Sequence, residues 1–316
     1  MHPFIAVLLG IVALTSNSLQ IKADRAEIRL SPKRDTTIRF LVTKKSVESF
    51  ELPESVERFE TSSESSVELS LKSETPDGAF ELSLKHGAIK GSFQSGDSKD
   101  AVPFDSEKPE VTDKATKDRD LARMLKSETI DGGIEVALKL ARDAEVLEVK
   151  GYAAATKPKI DTLYDDDRID EDEVKLARAH GSDAHFQQAL INVLPRLPRN
   201  AVAVGDEFTL ERGWHECPTE STCFEIALKC KVTALDADTI SVDVQGEMPR
   251  VTDLDENAIE RITLRSFEIR GKLVFSRRDG FLRTLEVEQT ADAAVPVSHG
   301  VLPMKKTVSI QYRRAN

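Results

Sequence analysis

Apolar and polar residues alternate along most of this chain, and that alternation limits what it can fold into. Val67, Leu69 and Leu71 alternate with Glu68, Ser70 and Lys72, and Phe80, Leu82 and Leu84 with Glu81, Ser83 and Lys85. Ile134, Val136, Leu138 and Leu140 continue the pattern, as do Phe224, Ile226, Leu228, Cys230 and Val232. Ile240, Val242 and Val244 follow, and finally Val308, Ile310 and Tyr312. Successive side chains of a strand point to opposite faces, so each run has one dry face and one wet face. Such strands belong in antiparallel sheets covered on one side only. The expected fold is mainly β, a β-dominated α+β protein of curved antiparallel sheets. These would form a partial barrel or a sandwich with one helical connector.

Turn chemistry supports the pattern. Asp77-Gly78, Asp131-Gly132 and Asp279-Gly280 each sit between strand-like runs and read as hairpin turns, as does Leu235 to Asp238. The apolar phase slips by one between Leu264 and Phe267, which predicts a β-bulge there. A short repeat stands out. LKSETPDGAFELSLK, from Leu71 to Lys85, aligns without gaps to LKSETIDGGIEVALK, from Leu125 to Lys139, with ten of fifteen positions identical. It reads as a duplicated hairpin, in tension with helical character from Ala115 to Lys126.

The chain divides by composition. Residues 24–160 form an N-terminal β half, interrupted at 91–120 by a Ser-, Asp-, Lys- and Pro-rich stretch expected to be a flexible loop. Residues 161–200 form an acidic and helical connector. In it Ser182 caps a helix that presents Phe186, Ala189, Leu190, Val193 and Leu194 at helical spacing, and Pro195 and Pro198 end it. Residues 201–316 form the C-terminal β half.

Residues Phe4 to Leu14 read FIAVLLGIVAL, eleven apolar residues without charge. That is too short to span a bilayer, which needs about 20 residues. It matches the core of a secretory signal peptide over residues 1–23, with cleavage between 18 and 23. The expected location is therefore periplasmic or extracellular, with no integral membrane segment after cleavage. Lys and Arg total 44 against 55 Asp and Glu, a net charge of −11, and no basic stripe with interleaved aromatics occurs. Nucleic acid is excluded as a partner on that basis.

Export makes a disulfide plausible. Cys217 and Cys223 flank a short loop between two strand-like runs, whereas Cys230 shares an apolar face with Leu228 and Val232. The expected bridge joins Cys217 to Cys223 and leaves Cys230 as a buried apolar residue. A metal site from His180, Asp183, His185 and His215 would need Gly181 to break the helix, because residues five apart lie about 140° apart around one. The acidic run Asp165 to Glu173 lacks the spacing and turn glycine of a Ca²⁺ loop and reads as a solvated helix start. Neither a nucleophile elbow nor a phosphate-binding Gly-rich loop is present.

The segment Val193 to Phe208 reads VLPRLPRNAVAVGDEF. Through Leu194, Pro195, Pro198, Val204, Gly205, Asp206 and Phe208 it resembles an uncharacterised family of secreted, mostly bacterial, β-rich proteins. The strand–turn–strand stretch Gly271 to Leu285 also fits that family. The resemblance implies a β-rich C-terminal half and carries no activity or catalytic residues. Physically, Gly205-Asp206 is a turn feeding a strand from Glu207 to Trp214.

These observations favour a non-enzymatic exported protein that binds a small apolar ligand or an envelope protein, with no cofactor. The alternative is a hydrolase or metal-dependent enzyme built on the His and carboxylate residues of the 180–216 region.

Overall fold

The computed structural model describes residues 25–315 apart from 34–35, 97, 99, 166–168, 170, 220–221, 248–262 and 298–299. The signal segment expected over residues 1–23 lies outside them. The N-terminal strands are β1 (Thr37–Glu51), β2 (Val56–Glu74), β3 (Phe80–His86), β4 (Lys90–Ser95) and β5 (Val102–Asp105). Helices α1 (Glu110–Ala115) and α2 (Arg119–Ser127) precede β6 (Glu135–Leu140) and β7 (Val146–Lys150). Helices α3 (Tyr152–Leu163), α4 (Glu171–His180) and α5 (Asp183–Ala189) and a 3-10 turn (Leu190–Asn192) form the connector. The C-terminal strands are β8 (Glu207–Thr219), β9 (Thr222–Leu235), β10 (Thr239–Glu247), β11 (Thr263–Ser276), β12 (Leu282–Val297) and β13 (Gly300–Arg314).

All thirteen strands belong to one antiparallel sheet, ordered β7-β6-β3-β2-β1-β13-β12-β11-β10-β9-β8, with β4 and β5 branching from β2. The sheet is mainly β as expected and is not closed into a barrel. The two halves read from composition join edge to edge, because β1 pairs with β13 along Phe40↔Arg314 to Phe50↔Met304. The connector runs between β7 and β8, the two ends of the main strand path. Gln187 of α5 donates from Nε2 to the Val146 carbonyl of edge strand β7 at 2.9 Å, satisfying an acceptor that a neighbouring strand would otherwise take.

The inward faces meet in one core. Leu69, Leu84, Leu138, Ile226, Val242, Ile269 and Leu285 all belong to it, together with Phe186 and Leu190 of the connector. A further strand-like segment fills one end of this core. Ala26, Ile28 and Leu30 are buried there, alternating with exposed Glu27 and Arg29. Its N–H groups bind three separate parts of the chain. Ala26 exchanges hydrogen bonds with Val202 at 2.8 Å each way, Leu30 donates to Arg142 at 3.0 Å, and Ser31 donates to Asp279 at 2.9 Å. Gly280 (φ +75°) lies against it, and a Cβ there would meet the Arg29 carbonyl at 2.1 Å.

The turn at Asp77-Gly78 joins β2 to β3, that at Asp279-Gly280 joins β11 to β12, and Leu235 to Asp238 spans the turn between β9 and β10. The β11–β12 register shifts between Leu264 and Ser266, where the bulge was expected. Gly205 (φ +90°) and Asp206 turn the chain into β8, with the Asp206 carboxylate accepting from the Ala203 N–H at 3.0 Å.

Three expectations need correction. Asp131-Gly132 is not a hairpin turn, since it links α2 to β6. The repeat is therefore not a duplicated hairpin. Leu71 to Glu74 is strand, whereas the matching Leu125 to Ser127 closes a helix. The Asp118 carboxylate caps that helix, accepting from the N–H groups of Asp120 and Leu121. Only the second halves of the copies share a fold, and these pair with each other as Phe80↔Leu140, Leu82↔Leu138 and Leu84↔Val136. Finally, the stretch 91–120 is not an irregular loop. It carries most of β4, all of β5 and α1, and the start of α2.

Candidate functional site

Beyond the packed core, the long strands β1 and β2 run on, and their inward residues change character. After Ile38, Phe40 and Val42, strand β1 turns Lys44, Ser46 and Glu48 to the same face, and β2 pairs Ser65, Ser63 and Thr61 opposite Val42, Lys44 and Ser46. Small polar residues cannot continue the apolar packing, so the core stops there. Past this belt the face becomes apolar again through Phe50 of β1, Phe59 of β2 and Phe93 of β4. Phe59 stands diagonal to each of the others across neighbouring strands, with ring centroids 5.8 Å from Phe50 and 5.9 Å from Phe93.

Helix α2 faces these rings. It buries Ala122 and Leu125, while Leu121 is partly buried and Met124 remains 45% exposed. Between helix and strands lies a cleft of about 460 Å³, lined by the three phenylalanines, Leu121, Met124 and Leu125. Its polar lining is Ser46, Thr61, Glu48, Asp120 and Glu128, three carboxylates and no cation. The cations that pair with those carboxylates are Lys306 with Glu48 at 2.8 Å, Arg123 with Asp120 at 3.4 Å and Lys44 with Glu128 at 3.7 Å. None of the three cations lines the cleft.

The opposite side of α2 is different. There Arg119, Arg123, Lys126 and Lys159 line a cavity of about 790 Å³ between α1, α2 and α3, mixed with the carboxylates of Glu110, Asp113 and Asp120. Lys159 spans its inner wall, donating from Nζ to the carbonyls of Ile130 and Gly132 at 2.7 and 2.6 Å. Burial pulls its ammonium below the usual lysine range, and Asp131 opposes that shift. Asp131 accepts the Tyr152 hydroxyl at 2.7 Å, and burial, then Asp131, raises that phenol. Tyr152 stacks on Phe186 at 4.1 Å, and His86 meets the same ring edge-on at 5.9 Å. The His86 Nε2 is buried with no hydrogen-bond partner among the described residues. Burial holds that imidazole below its ordinary range. This polar group joins α3, α5 and the β3–β6 pair. Its geometry is that of a structural joint, since Asp131 and Lys159 already spend their charge on neighbouring groups.

The residues singled out from sequence fare unequally. Gly181 does break the helix, and the His180 and His185 rings approach to 4.6 Å. Asp183 does not join them, since its carboxylate accepts the Ala153 N–H at 2.8 Å. The side chain of His215 lies outside those described. Its backbone pairs with Glu225 across the β8–β9 hairpin. Among the described residues no three His, Cys, Asp or Glu side chains are grouped to hold a metal. The side chains of Cys217 and Cys223 also lie outside those described; both residues fall between the pairs Glu216↔Phe224 and Thr219↔Thr222 at the same hairpin end, where the register shifts. Cys230 is buried with its thiol pushed up to about 12 by that burial. Sequence reasoning missed the aromatic cleft. Its one advance signal is the run of small polar residues from Thr61 to Ser66 inside an otherwise alternating strand.

Among the described residues no helix is long and apolar enough to cross a membrane. No family model matches the chain, and no curated protein matches it. Among solved structures it is similar to lipovitellin, described for its lipid–protein interactions, with a TM-score of 0.47, 10% identity and 90% of this chain covered. The chain spans about 25% of that protein's length. Two further solved structures match at a TM-score of 0.22 and 8% identity, the translocator domain of autotransporter NalP from Neisseria meningitidis (90% of each chain covered) and OccK7 from Pseudomonas aeruginosa (88% of this chain and 99% of that one).

Proposed function

We propose that this is an exported, non-enzymatic protein that binds a small apolar ligand in the cleft under α2. One observation carries the reading. Most large apolar side chains of the inward face are buried to a few per cent, and the partly buried ones such as Phe208 and Ile310 pack against that core, but Phe50, Phe59 and Phe93 stay partly buried outside it, beside an exposed Met124. Leaving four such side chains short of contact forfeits burial worth about 25 cal/mol per Å². A volume of about 460 Å³ falls within the range of small-molecule sites. The methionine adds an adaptable wall. Export follows from the Phe4–Leu14 segment, and binding of an apolar molecule suits a protein that works outside the cytoplasm.

The test is titration with the neutral aryl dye N-phenyl-1-naphthylamine, alongside native mass spectrometry of the purified protein. Saturable binding at one site is expected, weakened at least about tenfold by Phe59→Ala, the scale of one lost buried aromatic contact. Circular dichroism checks that the variant folds. No saturable binding and no co-purifying small molecule would leave a structural or partner-binding role instead.

A further inference from the structure

The cleft has a charge character as well as an apolar one. Resting on the ligand-binding reading above, we propose that its occupant is an apolar molecule bearing a cationic group, such as an alkyl or aryl amine or quaternary ammonium, and not a fatty-acid carboxylate. Helix α2 sorts its charges. Arg119, Arg123 and Lys126 line the opposite cavity and not the cleft, Glu128 just past the helix end lines the cleft alone, and Asp120 lies at the boundary and lines both. Glu48 adds a third carboxylate from β1. A ligand in the cleft therefore meets carboxylates directly, while the cations that pair with them stand outside its lining.

The aromatic rings point the same way. The faces of Phe50, Phe59 and Phe93 carry negative quadrupole potential, which attracts a cation within about 6 Å of a ring centroid. Ser46 and Thr61 offer hydroxyls but no positive charge. A carboxylate placed here would lose its hydration and meet the oxygens of three carboxylates with no cation in the lining to receive it, an arrangement that costs affinity. The net charge of −11 over the whole chain favours approach of a cation at long range.

The experiment displaces N-phenyl-1-naphthylamine with three ligands of one chain length, each below its micelle threshold. These are dodecyltrimethylammonium, dodecanol and dodecanoate. The expected order is cation tighter than alcohol by about five- to tenfold, with dodecanoate weakest. Asp120→Asn combined with Glu128→Gln, both at exposed positions, should bring the cation's affinity down to within about twofold of dodecanol's in the same variant. Raising salt should weaken only the cation. Dodecanoate binding as tightly as the cation, or a preference untouched by the double variant, overturns the inference while dodecanol binding upholds the cleft. Failure of all three ligands to displace a saturably bound dye overturns the inference and leaves the cleft standing, whereas no saturable dye binding together with no co-purifying small molecule overturns both.

Discussion

Ile28 offers the sharpest test of how the fold is held. It sits 2% exposed in the segment that fills one end of the core, and it belongs to the cluster contributed by both halves of the sheet. Ile28→Ala removes three carbon groups, each worth about 0.8 kcal/mol of transfer free energy. That sum is about 2.4 kcal/mol. The neighbouring turns are tied to the same segment through backbone hydrogen bonds at Val202, Arg142 and Asp279, so they are poorly placed to collapse into the space left behind. The cavity term then adds to the loss, and the expected cost is about 2–5 kcal/mol. Urea unfolding followed by tryptophan fluorescence measures it, since Trp214 is buried in the same cluster. The midpoint should fall with the slope unchanged. Arg29→Ala, one residue along, removes only an exposed pair with Glu27 at 3.1 Å and should change stability by less than about 0.5 kcal/mol. Equal effects from the two substitutions, or a cost below about 0.5 kcal/mol for Ile28→Ala, would refute the claim that this segment is packed as a strand in the core.

Two further outcomes follow from buried groups. His86 is held below its unfolded value by burial, with Asp131 opposing and Lys159 assisting. The unfolded chain therefore takes up a proton first as pH falls below about 6.5, and stability from the neutral imidazole is complete above that pH and lost as pH falls toward the folded value. The wild-type unfolding free energy should decline there with an extra slope of up to about 1.4 kcal/mol per pH unit, absent in His86→Leu; parallel pH profiles for the two proteins would contradict this. For the cysteines, peptide mapping of the protein folded under oxidising conditions should recover Cys217 joined to Cys223. Cys230, buried with its thiol raised, should resist maleimide until the protein unfolds; three free thiols, or rapid labelling of Cys230 in the native state, would refute the assignment.

The alternation made the strands legible because a two-residue period is a local property of the chain. It located the runs around Leu69, Leu82, Leu138, Leu228 and Val242 and their inward faces without any tertiary knowledge. Caps and turns were legible for a similar reason. Ser182 accepts the His185 N–H at 3.2 Å as an N-cap, and Gly78, Gly205 and Gly280 adopt the positive φ that their turns demand. The cleft was not legible, because its three phenylalanines come from three strands and its fourth wall from α2, whose sequence overlaps a repeat that reads as a hairpin.

The repeat divides the two kinds of information. By itself the sequence determined that Leu71 to Lys85 and Leu125 to Lys139 are near copies, and that their second halves are strands. It could not determine that LKSE extends a strand in one copy while LKS ends a helix in the other. Leu71 to Glu74 run past the end of β1 and have β3 beside them to take their hydrogen bonds, whereas Leu125 follows the Asp118 cap and is wholly buried. Local propensity leaves these few residues undecided, and the partners that complete their backbone hydrogen bonds choose the conformation. The same holds for the whole chain. Alternation required that an apolar face be covered, but only the tertiary structure joined β1 to β13, closed the free edge at β7 with Gln187, and left one part of that face open beside α2.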